Sequence, residues 1–350
     1  MPKGSSATLV RIMLTTDWTD TLDRLICEAI VAGRVCGELS GVPDRVVESG
    51  LAHVFFYGDT VYKLYKTHAD KDHFIKGVLA PTDRRQAFID HDFKLNQHFS
   101  GEVYRQLHSV RYEDEQVKVH PYTGDTIYSL VEMAKLDFRE NLHERLLREE
   151  VDDALLYTLG CETARAVATC PIRAPEGLSW YQLAEERLGM VSLFIDWLPA
   201  EFGEPIRSAA VVDALRAHLE RYREEYESIR GDDLAVNMDN HDENVFFIDN
   251  KPQFIDLLPP MSSWWFGLPH ANLSNLMANV ETLHSEAAAK QVKNGYLSYH
   301  EIEDLPAHSF AFTQAFAYLI SIAHFGSVPE KREVALKYME RLGEIPEWVA

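Results

Sequence analysis

Asn237-Met238-Asp239-Asn240-His241-Asp242-Glu243-Asn244 is polar but for Met238, and it stands directly before two short β-rich runs, Val245 to Phe247 and Gln253 to Ile255. Asp249-Asn250-Lys251-Pro252 joins those runs, so the segment reads as a polar loop followed by a hairpin whose second strand ends at Asp256. The stretches around it are helical in period. Helices are expected near 151 to 169, 180 to 197 and 211 to 229, and the apolar stretch Ala311 to Phe325, interrupted by Gln314, Ser321 and His324, reads as a buried helix. A single hairpin set among helices, tipped with acids at both ends, decides the reading of the second half.

The first part of the chain has a different texture. Leu22, Leu25, Ile26, Ala29 and Ile30 recur at helical spacing behind the capping candidate Thr19, giving a helix to about residue 40. Arg45 to Ser49 reads as a strand. Val54 to Tyr57 and Thr60 to Lys66 flank Gly58-Asp59 as a hairpin, and a helix is expected over about Thr82 to Phe99. Val117 to His120 and Ile127 to Met133 enclose Tyr122-Thr123-Gly124-Asp125 as a second hairpin. The expected class is therefore α+β. A strand-rich part over 1–133 carries an N-terminal helix, a five-stranded antiparallel sheet and one helix, and a mainly helical part follows over 134–350.

At 350 residues the chain exceeds the size at which one core usually keeps growing, and its 46% hydrophobic and 25% charged content excludes collagenous or wholly disordered readings. Lys and Arg total 34 against 55 Asp and Glu, a formal charge of −21. A surface that negative repels phosphate backbones and anionic lipid, so neither nucleic acid nor membrane is an expected partner. No run of about 18 apolar residues and no signal-like start appear, which predicts a cytoplasmic protein. Cys27, Cys36, Cys161 and Cys170 lack C-x-x-C spacing and read as reduced, structural thiols.

The loop and hairpin carry the chemistry. An acid, then Asn five residues later, then an acid at a strand end can aim one carboxylate at an acceptor hydroxyl and two further oxygens at Mg²⁺. Phosphoryl transfer needs that division of labour, because the transferred group must be aligned and neutralised more than it must be attacked. His241 and Asp242 read as solvated loop residues, since adjacent ligands without a second His or Cys at metal spacing make a poor transition-metal site. Trp264-Trp265-Phe266 reads either as the lining of an acceptor pocket or as core or a partner surface.

Asp239, Asn244 and Asp256 resemble the D-x-x-x-x-N and following metal-binding Asp of kinase-like small-molecule phosphotransferases, the aminoglycoside phosphotransferase and choline kinase group. Glu48 to Lys66 is similar, without a gap, to the E-T-H-x-S-x-V-F-x-x-G-D-x-x-Y-K-x-K-K segment of an uncharacterised bacterial branch of that group. Tyr128 to Leu136 resembles its hinge, and Asp92-Phe93-Lys94-Leu95-Asn96 its first helix. The resemblance implies a two-lobed protein-kinase-like fold and a kinase that uses ATP or GTP with Mg²⁺. By it, Lys63 binds the α- and β-phosphates with Asp92, or Asp90, as its acidic partner, and Ser49 and Gly50 offer backbone N–H groups to phosphate. Glu132 and Met133 present backbone groups to the base, Asn244 and Asp256 hold the metal, and Asp239 is the catalytic acid-base group. Two departures stand out: Asn237-Met238 replaces the family's His-Gly before the catalytic Asp, and Asn272 replaces an Asp that supports the loop. Asn237 is expected to tie the loop to buried backbone groups.

The implied reaction is transfer of the γ-phosphate to a hydroxyl of a small polar molecule such as a sugar, amino sugar, aminoglycoside or amino alcohol. An acidic pocket would suit the cationic members of that set. A nucleotide-binding pseudokinase acting as a scaffold and a kinase acting on protein are the alternatives, the first motivated by Asn237, Met238 and Asn272, and a protein partner is left open.

Overall fold

The computed structural model describes residues 22–49, 51–67, 79, 82–124, 128–257 and 265–350. The chain divides into two compact units, one running to Leu136 and the other from Asp137.

In the first unit, α1 (Leu22–Val31) buries Ile26, Ala29 and Ile30 on one face. It ends where Gly33 turns left-handed at φ 71°, with the Gly33 and Arg34 N–H groups donating back to Ile30 and Ala29. That stop corrects the helix expected to run to about residue 40, because Val35–Gly37 becomes strand β1. β2 (Arg45–Glu48), β3 (Ala52–Tyr57) and β4 (Thr60–Tyr65) follow as a meander, and after α2 (Thr82–Phe99) come β5 (Tyr104–Glu113), β6 (Gln116–Pro121) and β7 (Tyr128–Ala134). They form one sheet in the order β1-β6-β5-β7-β4-β3-β2. Seven strands thus replace the expected five, and β1 joins parallel to β6, so the sheet is not wholly antiparallel. Nor do β6 and β7 form a hairpin: both pair with β5. β5 was hidden because its interior is polar in sequence. His108 is buried against Glu132 at 2.6 Å, Ser109 against Thr123 at 3.1 Å, and the β5–β6 turn uses Asp114 and Glu115 at φ 53° and 60° in place of a glycine signal.

Period-two alternation places the side chains of β4. Tyr62 and Leu64 join Ile26, Ile30, Phe55, Val119 and Leu130 in the core beneath α1. Val61, Lys63 and Tyr65 point to the other face, where the Tyr65 ring meets Phe88 of α2 at 5.3 Å.

The second unit is helical: α3 (Leu142–Leu147), α4 (Asp153–Thr169), α5 (Trp180–Trp197), α6 (Ala200–Ser208), α7 (Val211–Arg221) and α8 (Arg223–Ser228) precede the polar loop. The helix expected over 211–229 is therefore two, interrupted at Tyr222. β8 (Ala235–Val236), β9 (Val245–Ile248), β10 (Lys251–Phe254) and β11 (Phe266–Gly267) form two small antiparallel pairs, β9 with β10 and β8 with β11. Asp249 and Asn250 turn the first of these at φ 50° and 61°, a left-handed pair that Asp and Asn tolerate. Then come α9 (Ala271–Leu283), α10 (Glu286–His300), α11 (Ala307–Gly326), α12 (Arg332–Met339) and α13 (Ile345–Trp348).

α9 is the central helix, buried on nearly every side, and packs against α10, α11 and α4. α4 and α10 meet backbone to backbone. A Cβ on Gly160 would lie 1.9 Å from the Val292 carbonyl oxygen, and one on Gly295 would lie 1.9 Å from that of Tyr157. All four cysteines are free thiols. No helix among the described residues is long and apolar enough to cross a membrane.

Candidate active site

The polar loop is tied down from α9. Asn272, 1% exposed, accepts the Met238 N–H through Oδ1 at 2.8 Å and donates through Nδ2 to the Val236 carbonyl at 2.9 Å. Its own carbonyl accepts from Asn240 Nδ2 at 3.1 Å. An uncharged amide carries an acceptor and a donor on one planar group, so it satisfies a buried N–H and a buried C=O at once at neutral pH, which is what Asn supplies at this position. Seven residues on, two turns along the same helix face, Asn279 Oδ1 accepts the Asp242 N–H at 3.1 Å, and its Nδ2 donates to the Tyr338 hydroxyl at 2.6 Å. Met238, which replaces the flexible glycine, is buried at 1% exposure and packs as core.

Asn237 plays a smaller part than expected. Its N–H donates to the Trp265 carbonyl at 2.6 Å, and its Oδ1 accepts the Asp239 N–H at 3.3 Å, a long bond to a half-buried partner. The main brace is Asn272. Asp239 sits at φ 51°, in the left-handed region, held there by His241 N–H and Asn244 Nδ2 donating to its carbonyl at 2.9 and 3.0 Å. Because Asn244 spends its amide nitrogen on that bond, its Oδ1 is the atom it leaves for a ligand. The Asn244 carbonyl accepts the Ile255 N–H at 2.9 Å, which brings the chain end of the hairpin back to the loop, and Asp256 follows at φ 53°. Hydrogen bonds thus link Asn244 both to Asp239 and to Ile255, the residue before Asp256.

Asp242 corrects the reading of a solvated loop residue: it is fully buried, and its Oδ2 lies 2.5 Å from His143 Nδ1. Burial alone would push the His143 pKa down, but the hydrogen bond and charge of Asp242 outweigh it and hold it above the ordinary value. Asn141 completes this side, capping α3 and donating to the Glu243 and Val245 carbonyls at 2.8 and 3.2 Å. The fold also supplies the second histidine that the sequence spacing lacked, His324, whose ring centroid is 4.9 Å from that of His241. With Glu243 these two could present three ligand atoms within 4.8 Å of one another. Lys331 Nζ, however, lies 2.5 Å from Glu243 Oε2 and 2.7 Å from Oε1, so a cation already fills the carboxylate. Burial would raise the Glu243 pKa, but His324 and Lys331 bring it down to about 2, as expected of an ion-paired cluster.

Beside the loop lies a cavity of about 500 Å³ whose described lining residues all belong to the second unit. Asn237, Asp239 and His324 edge it, and Trp265, 4% exposed, lines it while Phe266 beside it is buried in the core. Trp264 lies outside the described residues. Asp239 is the one carboxylate among the described lining residues.

In the first unit, Lys63 is 8% exposed, and its Nζ lies 4.7 Å from the centroid of the Tyr65 ring. The Tyr65 hydroxyl donates to Asp92 Oδ2 at 2.6 Å, and Asn96 Nδ2 donates to Asp92 Oδ1 at 3.1 Å. Lys63 and Asp92 thus share one buried group with Tyr65 between them, while Asp90 is engaged by the Tyr122 hydroxyl. Ser49 N–H donates to the Ala52 carbonyl at 2.8 Å and its Oγ accepts the Ala52 N–H at 3.0 Å, so its amide closes the β2–β3 turn. Gly50 lies outside the described residues. Glu132 and Met133 are registered on both sides of β7, against Tyr62 and Gln106 and against Val61 and Tyr104. Their backbone groups belong to the sheet, and the ladder is left only after Ala134.

Asn141, His143, Asn279 and Lys331 were not identified from sequence. One signal was present: Asn272 and Asn279 stand seven residues apart, on one face of a helix that buries Ala271, Leu273, Leu276, Met277 and Val280, and so mark a buried face with polar work to do.

No family model matches this sequence, and no curated protein matches it. Among solved structures, it is similar to a thermostable mutant of aminoglycoside phosphotransferase APH(4)-Ia in ternary complex with AMP-PNP and hygromycin B. That likeness has a TM-score of 0.50 at 14% identity and covers 89% of this chain and 96% of the other. ADP-bound APH(2'')-Ib is matched at 12% identity and TM-score 0.42, over 87% and 93% of the two chains. APH(3'')-Id from Streptomyces rimosus, in complex with ADP and streptomycin, is matched at 15% identity and TM-score 0.40, over 76% and 90%. The first of these likenesses assigns the fold: the chain has the α+β architecture of the aminoglycoside phosphotransferases, the kinase-like class that its motifs resemble.

Proposed function

We propose that the protein is a phosphotransferase that uses ATP or GTP with Mg²⁺ and acts on a hydroxyl of a small molecule. The observation that carries this reading is Asp239 at the edge of a ligand-sized cavity, hydrogen-bonded to Asn244, which in turn is bonded to Ile255 just before Asp256. Its support is chemical. Asn244 Oδ1 and the Asp256 carboxylate are hard oxygen donors of the kind Mg²⁺ takes, few enough to leave room for phosphate and water, so the residues present fit the metal. When bound, the nucleotide and its metal would supply the transferable phosphoryl group and offset its charge. The chain does the rest. Asp239 edges the cavity with its backbone fixed by three hydrogen bonds, and its carboxylate orients the acceptor hydroxyl and receives its proton. Lys63 holds the phosphates from β4, with Asp92 and Tyr65 fixing its position.

Asp239→Asn tests the reading. Asn tolerates the left-handed backbone at this position, so folding and nucleotide affinity should stay within a few-fold while transfer falls by about 10² or more. Unchanged turnover in a folded variant would move the acid-base role elsewhere in the loop.

A further inference from the structure

The walls of the cavity beside Asp239 are aromatic and aliphatic: Phe194, Trp197, Trp265, Phe312, Phe316 and Ile320 supply much of them. Arg187 is among the described lining residues. Arg187 is 5% exposed, its Nη2 donates to the Phe266 carbonyl at 2.7 Å, and its guanidinium lies over the rings of Trp180 and Phe316 at 5.6 and 6.0 Å. Against it the described lining offers one carboxylate, Asp239, which the proposed reaction already uses.

A ligand carrying several ammonium groups would have to leave water for this space, and each buried ammonium needs a carboxylate partner to offset lost hydration. The described lining cannot supply them. A hydrocarbon or aromatic body meets the opposite situation, because every wall it touches is released from water along with it. The entrance agrees. Met190 and Trp197, which line the cavity, are 36% and 66% exposed, and Leu193 between them on the same face of α5 is 50% exposed. Such an apolar stripe facing solvent beside a cavity marks a route for apolar ligands.

We infer that this cavity takes a weakly polar alcohol, a molecule with an apolar or aromatic body, a hydroxyl and no cationic group, rather than a polycationic amino sugar. The inference rests on the proposed phosphotransferase reading only for what happens to the hydroxyl. There the acceptor oxygen bonds to the γ-phosphorus, its proton passes to Asp239, and the nucleoside diphosphate leaves.

The test uses the full chain and two kinds of probe, 2-naphthaleneethanol and 17β-oestradiol as apolar alcohols and hygromycin B as the polycation. Trp180, Trp197 and Trp265 line the cavity, so tryptophan fluorescence reports binding, and γ-labelled ATP with Mg²⁺ reports transfer. The apolar alcohols should bind at least tenfold more tightly than hygromycin B. Their binding should weaken at least tenfold in Ala323→Trp, which fills the cavity from α11. Ala323→Leu, a milder change, should give an intermediate loss, and thermal melts of both variants verify folding. Hygromycin B binding as tightly as the alcohols, or alcohol binding indifferent to both folded variants, would overturn the inference. Phosphate transfer to hygromycin B alone would overturn it while leaving the phosphotransferase reading intact. Cavity-dependent alcohol binding with no transfer to any acceptor would support it and remove the phosphotransferase reading instead.

Discussion

Replacing Asn272 should do more damage than any other single change near the loop that leaves Asp239, Asn244 and Asp256 in place. In Asn272→Ala the Met238 N–H and the Val236 carbonyl both lose their side-chain partner, at 2.8 and 2.9 Å, in a place where Met238, Val236 and residue 272 itself are each 1% exposed. A buried backbone group left unpaired costs about 1 to 3 kcal/mol, so two of them should cost about 2 to 6 kcal/mol. That is a large part of the roughly 5 to 15 kcal/mol by which a native protein is stable. Asn272→Asp separates hydrogen bonding from packing, because the shape is kept while the donor to Val236 becomes an oxygen. At pH 7 a buried carboxylate there faces a carbonyl, and its pKa should rise. As pH falls towards 5 the carboxyl gains a proton and can donate to Val236, so the Asp variant should recover part of its loss while the Ala variant does not. Urea unfolding at both pH values, with the slope held constant, gives the free energies, and transfer assays give the activity. A loss below about 0.5 kcal/mol in Asn272→Ala with turnover intact, or an Asp variant indifferent to pH, would refute the brace.

Nucleotide should bind more tightly with Mg²⁺ than without it, since Asn244 and Asp256 offer hard oxygens for the metal; calorimetry giving equal affinities on folded protein would count against those roles. His143, with its pKa held above the unfolded value by Asp242, should contribute stability that is complete below about pH 6.5 and is lost as pH rises through the folded value. Thermal melts across pH 6 to 9 should show that decline, and His143→Gln should abolish it. His53 and His270 work in the other direction, since burial lowers each to about 4. Stability should therefore fall as pH drops from about 6.5 through 4, and NMR titration of either ring near 6.5 would contradict this.

Where a segment's own periodicity matches its final environment, the sequence was legible. α2, α4 and α5 lie close to their expected spans, and the β9–β10 hairpin forms around Asp249-Asn250. β5 was not legible because its buried polar residues are satisfied by partners distant in sequence: nothing near His108 announces Glu132. The same separation explains the loop. Asp239, Asn244 and Asp256 could be read from spacing, since five residues of loop and one hairpin connect them. The groups that hold them, Asn272, Asn279 and His143, come from helices 32 to 99 residues away in sequence from the groups they engage. Asn237 was expected to brace because it stands where the resembled family has a brace, and the helix beneath it carries that role instead.

The crossing of α4 and α10 has a consequence for the loop, and it passes through α9. Rotamers usually give a protein interior some tolerance, because a neighbour can swing aside to admit a methyl group. At Gly160 and Gly295 the opposing surfaces are carbonyl oxygens of Tyr157 and Val292, which cannot swing. α9 rests on this pair and reaches the loop through Asn272 and Asn279, so the seam is the fixed datum from which the depth of Asp239 is set. A single added carbon at either glycine must be taken up as a displacement of whole helices. The tolerance of the proposed catalytic turn is thus decided at two positions that no chemical reading of the turn would single out.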